Sequence, residues 1–302
     1  MRRPVTQAII VATAVCLSVA VVGCQKETVA DPAIEAPPAQ SALAIGRVAA
    51  ADGSAIAYES RGAGEVALVF VHGWMCDRSY WRHQVAAFKE SYRIVTIDLP
   101  GHGKSGVERT DWSLAGYGAD VAAVVEHLEL EKVVLVGHSM GGAVILEAAV
   151  RLGDRVAGVI GVETLHNAEF QVPDKQWQPL MEAYRQDFAG TCEQMVTSMF
   201  PAPEEPLAQE VKADMCGGRA EVGIALMDRF GSYRGADLMA KIEAPIRAIN
   251  AELSMPTQIE INRRHAPQFD AIIQQGAGHF LMLEAPERFN QLFAETLEAI
   301  GV

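Results

Sequence analysis

From Leu43 onward, short and nearly unbroken apolar runs alternate with longer stretches in which apolar and polar residues mix. Val66–Val71, Arg93–Ile97, Lys132–Val136 and Val156–Val162 contain few polar residues, as expected of strands buried on both faces. Between them, Tyr80–Lys89, Leu114–Glu129 and Gly142–Leu152 repeat apolar side chains at helical spacing. Pro245–Asn250 and Phe269–Gln274 predict two more strands, and Pro286–Ile300 predicts a closing helix with Pro286 in its first turn. This βα alternation predicts an α/β fold built on a mostly parallel sheet flanked by helices. Between Leu165 and Lys241 the strand signal stops, and Met, aromatic and acidic residues at helical spacing predict an inserted helical cap at about 165–241.

The N-terminus follows a different pattern. Arg2 and Arg3 precede an apolar run from Ala8 to Val22, broken only by Thr13 and Ser18. A membrane-spanning helix needs roughly 20 apolar residues, so this run is short for a span and suits an export signal. Val21-Val22-Gly23-Cys24 resembles a bacterial lipobox, which predicts a signal peptide at 1–23 and lipid attachment at Cys24. Ordinary cleavage and an uncleaved anchor are the alternatives. Gln25 stands where an inner-membrane retention signal would place Asp, favouring an outer-membrane lipoprotein facing the periplasm, or the cell surface. Residues 24–43 read as an Ala/Pro-rich tether, leaving 44–302 as the folded domain.

Composition narrows the function. Half of the 302 residues are apolar, enough for a substantial core. The formal charge of −13 becomes −15 once Arg2 and Arg3 leave with the signal. Such a surface repels phosphate backbones and argues against nucleic-acid partners. The eight histidines are scattered and no Cys/His group has metal-ligand spacing, so neither a metal nor another cofactor is implied. Of the cysteines beyond Cys16 and Cys24, Cys192 and Cys216 are candidates for a disulfide in an oxidising compartment. Cys76 is then an unpaired thiol or a small buried apolar residue.

Gly137-His138-Ser139-Met140-Gly141 fits G-x-S-x-G between a predicted strand and a predicted helix, the setting of a strained turn that exposes a nucleophilic serine. The helix behind it aims its positive end at the site, where an oxyanion would gain. Gly101-His-Gly-Lys-Ser-Gly106 spells G-x-G-x-x-G, but a charged turn follows it instead of a helix, which excludes a dinucleotide loop.

On these motifs the chain from Gly46 to Val302 resembles the α/β-hydrolases. The resemblance implies a mostly parallel eight-stranded sheet with a helical cap, and it assigns roles. His72-Gly73-Trp74 matches the oxyanion loop, so the N–H groups of Trp74 and Met140 would bind an oxyanion. Asp98–Ser105 matches a supporting loop, and Gly276-Ala-Gly-His279 places His279 as general base. The usual position of the acid holds Ser254. A placement seen in one branch of haloalkane dehalogenases points to Glu163, with Glu252 as the alternative acid. Met75 and His138, beside the nucleophile, are candidates for the substrate pocket, together with some of the cap aromatics Phe170, Trp177, Tyr184, Phe188, Phe200, Phe230 and Tyr233. A serine nucleophile suits acyl transfer and not dehalogenation, because an alkyl ether on serine would not be released by water. The expected activity is hydrolysis of small carboxylic esters or lactones with an apolar acyl or alcohol part. C–C bond hydrolysis, cofactor-free haloperoxidase activity and a non-catalytic binding lipoprotein are the alternatives.

Overall fold

The computed structural model describes residues 43–302 except Thr110, Gly231 and Ser232; the expected signal peptide, the lipidation at Cys24 and nearly all of the tether lie outside the described residues. Eight strands form one sheet: β1 (Ala44–Ala49), β2 (Ala55–Arg61), β3 (Ala67–Val71), β4 (Arg93–Asp98), β5 (Val133–His138), β6 (Val156–Val162), β7 (Ile246–Ala251) and β8 (Asp270–Gln274). Their order is β1-β2-β4-β3-β5-β6-β7-β8. β1 and β2 pair antiparallel at one edge, and every pairing from β4 through β8 is parallel. The apolar runs explain the centre of this sheet: all five residues of β3 and all six of β5 are buried, which only strands covered on both faces require.

Helices α1 (Arg82–Phe88), α2 (Leu114–His127) and α3 (Met140–Leu152) follow β3, β4 and β5, and α11 (Pro286–Ala299) closes the chain. Phe70 of β3 packs against Trp81 and Phe293, at ring separations of 4.9 and 5.8 Å, binding α11 to the sheet. Burying such side chains contributes roughly 1.5–3 kcal/mol each.

Between β6 and β7 the chain leaves the sheet for five helices: α4 (Asp174–Gln186), α5 (Phe188–Ser198), α6 (Pro206–Cys216), α7 (Ala220–Phe230) and α8 (Gly235–Met239). A disulfide between Cys192 of α5 and Cys216 of α6 joins two of them, with the Cα atoms 5.5 Å apart. Two short helices, α9 (Ile259–His265) and α10 (Leu281–Glu284), flank β8. Loops from the carboxyl ends of β3, β5, β6, β7 and β8 converge on one edge of the sheet, where ligands bind in open α/β folds.

Candidate active site

Ser139 lies between the end of β5 and the first residue of α3 with φ 51° and ψ −116°, a conformation L-residues rarely adopt. Holding it costs about 1–3 kcal/mol, which the packing around the turn must offset. Two glycines make that packing possible. A Cβ on Gly137 would sit 2.3 Å from the carbonyl oxygen of Gly141, and one on Gly141 would sit 2.6 and 2.7 Å from those of Val71 and His72. The turn is therefore wedged against the end of β3 and the loop after it, and Trp74 of that loop lines one cavity with Met140. Met140 is the first residue of α3, so its N–H has no acceptor within the helix.

The loop after β3 is fixed from behind by His72. Its Nε2 accepts the Leu99 N–H at 3.0 Å, so the proton resides on Nδ1, 2.8 Å from the Gly73 carbonyl. Complete burial lowers its pKa to about 4, consistent with a neutral ring. Asp98 at the end of β4 accepts the N–H groups of Arg78 and Lys104, both at 2.8 Å, and pairs with the Arg78 guanidinium. Burial raises its pKa; its bonds hold loops together and touch no reacting atom.

His279 follows β8. Its N–H donates to the carbonyl of Met199 in the cap at 2.9 Å, and the N–H groups on either side, of Gly278 and Phe280, donate to the Glu284 carboxylate at 2.9 Å each. Its carbonyl lies 2.9 Å from His138 Nε2. Burial, then the neighbouring His279, lowers the His138 pKa to about 3. On the far side of the His279 ring, Nδ1 is 3.8 Å from Glu163 Oε1. That is longer than a hydrogen bond, as is common for catalytic pairs before substrate binds.

Glu163 sits just past β6, 2 % exposed and at φ 49°. Its Oε2 accepts the Ala251 N–H at 2.6 Å, and Ser254, at the position where the resemblance expected the acid, lines the same cavity. Burial alone would raise its pKa; the imidazoles of His166 and His279 close to Oε1 outweigh that and hold the carboxyl well below the usual carboxylate range. Glu252 is exposed and accepts the Gly276 N–H at 3.2 Å. Of the two candidate acids, only Glu163 approaches the His279 ring within 4 Å among the described residues.

Residues 68–292 match the sequence pattern of the Alpha/beta hydrolase family. The chain belongs to that family. This α/β hydrolase is 30% identical to the pimeloyl-[acyl-carrier protein] methyl ester esterase of Edwardsiella ictaluri over 82% of its own length and 100% of the relative's. It is 28% identical to 3-oxoadipate enol-lactonase 1 of Acinetobacter baylyi, covering 78% of this chain and 89% of that one. It spans only 34% and 64% of two other relatives, the dihydrolipoyllysine-residue acetyltransferase components of the acetoin cleaving systems of Cupriavidus necator and Pseudomonas putida, at 35% and 28% identity over 44% and 78% of this chain. Among solved structures, an esterase from Exiguobacterium antarcticum superposes with a TM-score of 0.75 at 22% identity, covering 83% of this chain and 98% of that one; this likeness speaks for the fold.

In this hydrolase two cavities meet at Ser139, Met140, Trp177, Phe230 and His279. One, about 200 Å³, is walled by Trp74, Phe280 and the thioethers of Met195, Met199, Met215 and Met227. The other, about 350 Å³, includes polar residues: Glu163, Thr164, His166, Asn167 and Ser254. His138 lines the first cavity. The Met75 side chain packs against Gly218 and Gly223 of the cap, whose missing Cβ atoms leave it room. Trp177 and Phe230 line both cavities, whereas Tyr184 and Phe188 pack on the Trp74 ring and Phe200 stacks on Phe280.

Sequence reasoning missed several residues here. Cys76, read as an unpaired thiol or a small apolar residue, lines the apolar cavity, and burial followed by the charge of Asp214 raises its pKa well above the ordinary thiol value. His166 carried no signal because its partners Asn250 and Thr257 lie far along the chain, and Glu284 carried none because a carboxylate four and six residues after the N–H groups it accepts fits no motif. Among the described residues, no group of three or more His, Cys, Asp or Glu side chains is placed to hold a metal ion.

Proposed function

We propose that this α/β hydrolase cleaves carboxylic esters or lactones through an acyl-enzyme on Ser139. The observation that carries the reading is the shared placement of a strained, glycine-framed Ser139 and His279 on one cavity, with the buried Glu163 carboxylate behind the imidazole. Ser139 Oγ attacks the carbonyl carbon as His279 takes its proton, and the Trp74 and Met140 N–H groups stabilise the tetrahedral oxyanion. His279 then protonates the leaving oxygen. Water, deprotonated by the same imidazole, releases the acid and restores the serine. Glu163 fixes the imidazole tautomer and stabilises the imidazolium formed in both half-reactions. Similarity to a methyl ester esterase and to an enol-lactonase supports both bond types. The apolar cavity suits an acyl or alcohol part without charge. Five methionines line that cavity, and an oxidant made at Ser139 would meet their thioethers first, which favours transfer to water over haloperoxidase chemistry.

A fluorophosphonate probe and p-nitrophenyl esters of graded chain length test the reading. The folded protein is expected to be labelled at Ser139 and to turn over, and Ser139→Ala to lose both, with turnover down about 10³-fold or more. A folded wild-type protein that takes no label overturns the proposal.

We further propose that the chain is exported and anchored by lipid on Cys24, on the strength of the Arg2-Arg3, apolar run and Val21–Cys24 pattern. Palmitate labelling that persists in Cys24→Ala would refute this.

A further inference from the structure

The Glu163 carboxylate is shared. Its Oε2 is occupied by the Ala251 N–H, while Oε1 faces two imidazoles: His166 Nε2 at 3.2 Å and His279 Nδ1 at 3.8 Å. His166 is 8% exposed, and the hydrogen bonds around it dictate its tautomer. The Thr164 N–H donates to Asn250 Oδ1 at 3.0 Å, which orients the amide so that Nδ2 faces His166 Nδ1 at 3.2 Å and donates to Thr257 Oγ1 at 2.8 Å. The Thr257 hydroxyl lies 3.4 Å from the same ring nitrogen and can donate to it. With an amide donor directed at it, Nδ1 must accept, so the single proton resides on Nε2, the nitrogen facing Glu163. The chain Thr164, Asn250, His166, Glu163 thus runs from the backbone after β6 to the carboxylate behind His279.

We propose that His166 is a positioning residue that acts through Glu163, sharing Oε1 with His279 at 3.2 Å and so limiting how much of the carboxylate's charge the His279 ring experiences. The inference rests on Glu163 being the acid of the triad. Among the described residues, the titratable groups that face His279 include Glu163, His166 across the shared Oε1, His138 and Glu284; those that face His166 include Glu163 and, across Oε1, His279, with Asn250 and Thr257 as polar partners. Removing the His166 donor leaves His279 as the sole imidazole facing a buried anion, which favours its protonated form.

The test uses the full-length protein. His166→Phe keeps a ring and removes the donor, whereas His166→Gln retains an N–H that can reach Glu163. The acid limb of the kcat/KM–pH profile for a p-nitrophenyl ester is expected to move up by about half a pH unit or more in His166→Phe, with KM within about threefold of wild type. It should return toward wild type in His166→Gln. A purely structural role would lower activity and Tm without moving the limb, and an unmoved limb in a folded His166→Phe protein overturns the proposal. Glu163→Gln separates the two levels: if it retains wild-type turnover, the assignment of the acid is what fails; if it is crippled while the limb of His166→Phe stays in place, only the role of His166 fails.

Discussion

Glu163 and Glu252 stand on neighbouring strand ends, yet their surroundings predict opposite outcomes. Glu163→Gln removes the buried charge behind His279 and should lower kcat by about 10³-fold or more with little change in KM, the loss typical of a misoriented triad imidazole. Glu252→Gln removes an exposed acceptor of the Gly276 N–H and should stay within a few fold. Steady-state kinetics of the two variants settles the acid, and the reverse ranking would discard the mechanism drawn above. At this scale the sequence was partly legible. Ser139, His279 and Glu163 each follow a recognisable strand, so position along the chain implied position in space. His166 meets Asn250 and Thr257, more than 80 residues along the chain, whereas Glu284 accepts N–H groups only four and six residues before it; no motif marks either residue. For Met75, adjacency to the loop after β3 says nothing about side-chain direction, and at φ 56° that direction departs from an ordinary strand extension.

The turn between β5 and α3 tolerates no added carbon. Gly141→Ala would press a methyl into the carbonyls of Val71 and His72, and is expected to cost a few kcal/mol or abolish soluble expression. Thermal denaturation checks this, and a Gly141→Ala protein as stable as wild type would contradict the packing described. Strands and flanking helices were legible because burial on two faces leaves a continuous apolar run and burial on one leaves a 3.6-residue period. The cap was legible only as helix, since its path is set by contacts with the core and not by its own periodicity. Its disulfide closes a segment with a sequence separation of 24 between α5 and α6, worth about 3 kcal/mol by chain entropy. Because Met195, Met199 and Met215 belong to those helices or adjoin them, reduction should lower Tm and raise KM for long-chain esters more than it lowers kcat, a contrast measurable with and without reductant.

Across the whole molecule, buried histidines set an acid limit to stability. Burial lowers the pKa of His72 to about 4 and of His102 and His138 to about 3, against 6.5 in the unfolded chain. Between pH 6.5 and those values the unfolded chain binds more protons, so stability must fall as pH drops through that window, by up to about 1.4 kcal/mol per pH unit for each ring. Asp98, Asp120 and Glu284, whose pKa values burial raises, act in the opposite sense near the bottom of the window and soften the decline. Tm is expected to fall steadily from pH 7 to pH 5, and His102→Gln, away from the reacting atoms, should flatten the slope. A Tm independent of pH over that range would contradict it.

Among the described residues, two cap backbone carbonyls are bonded from the loops that carry the proposed site: Trp74 Nε1 donates to the Gly223 carbonyl at 2.9 Å, and the His279 N–H donates to that of Met199 at 2.9 Å. One steadies the loop after β3 and the other the loop that carries His279, the proposed general base. The cap is therefore not an interchangeable module. Grafting the cap of another esterase onto this sheet to change its substrate range would succeed only if the graft carried backbone carbonyls to the same two points; otherwise a change intended for specificity would first cost the catalytic frame.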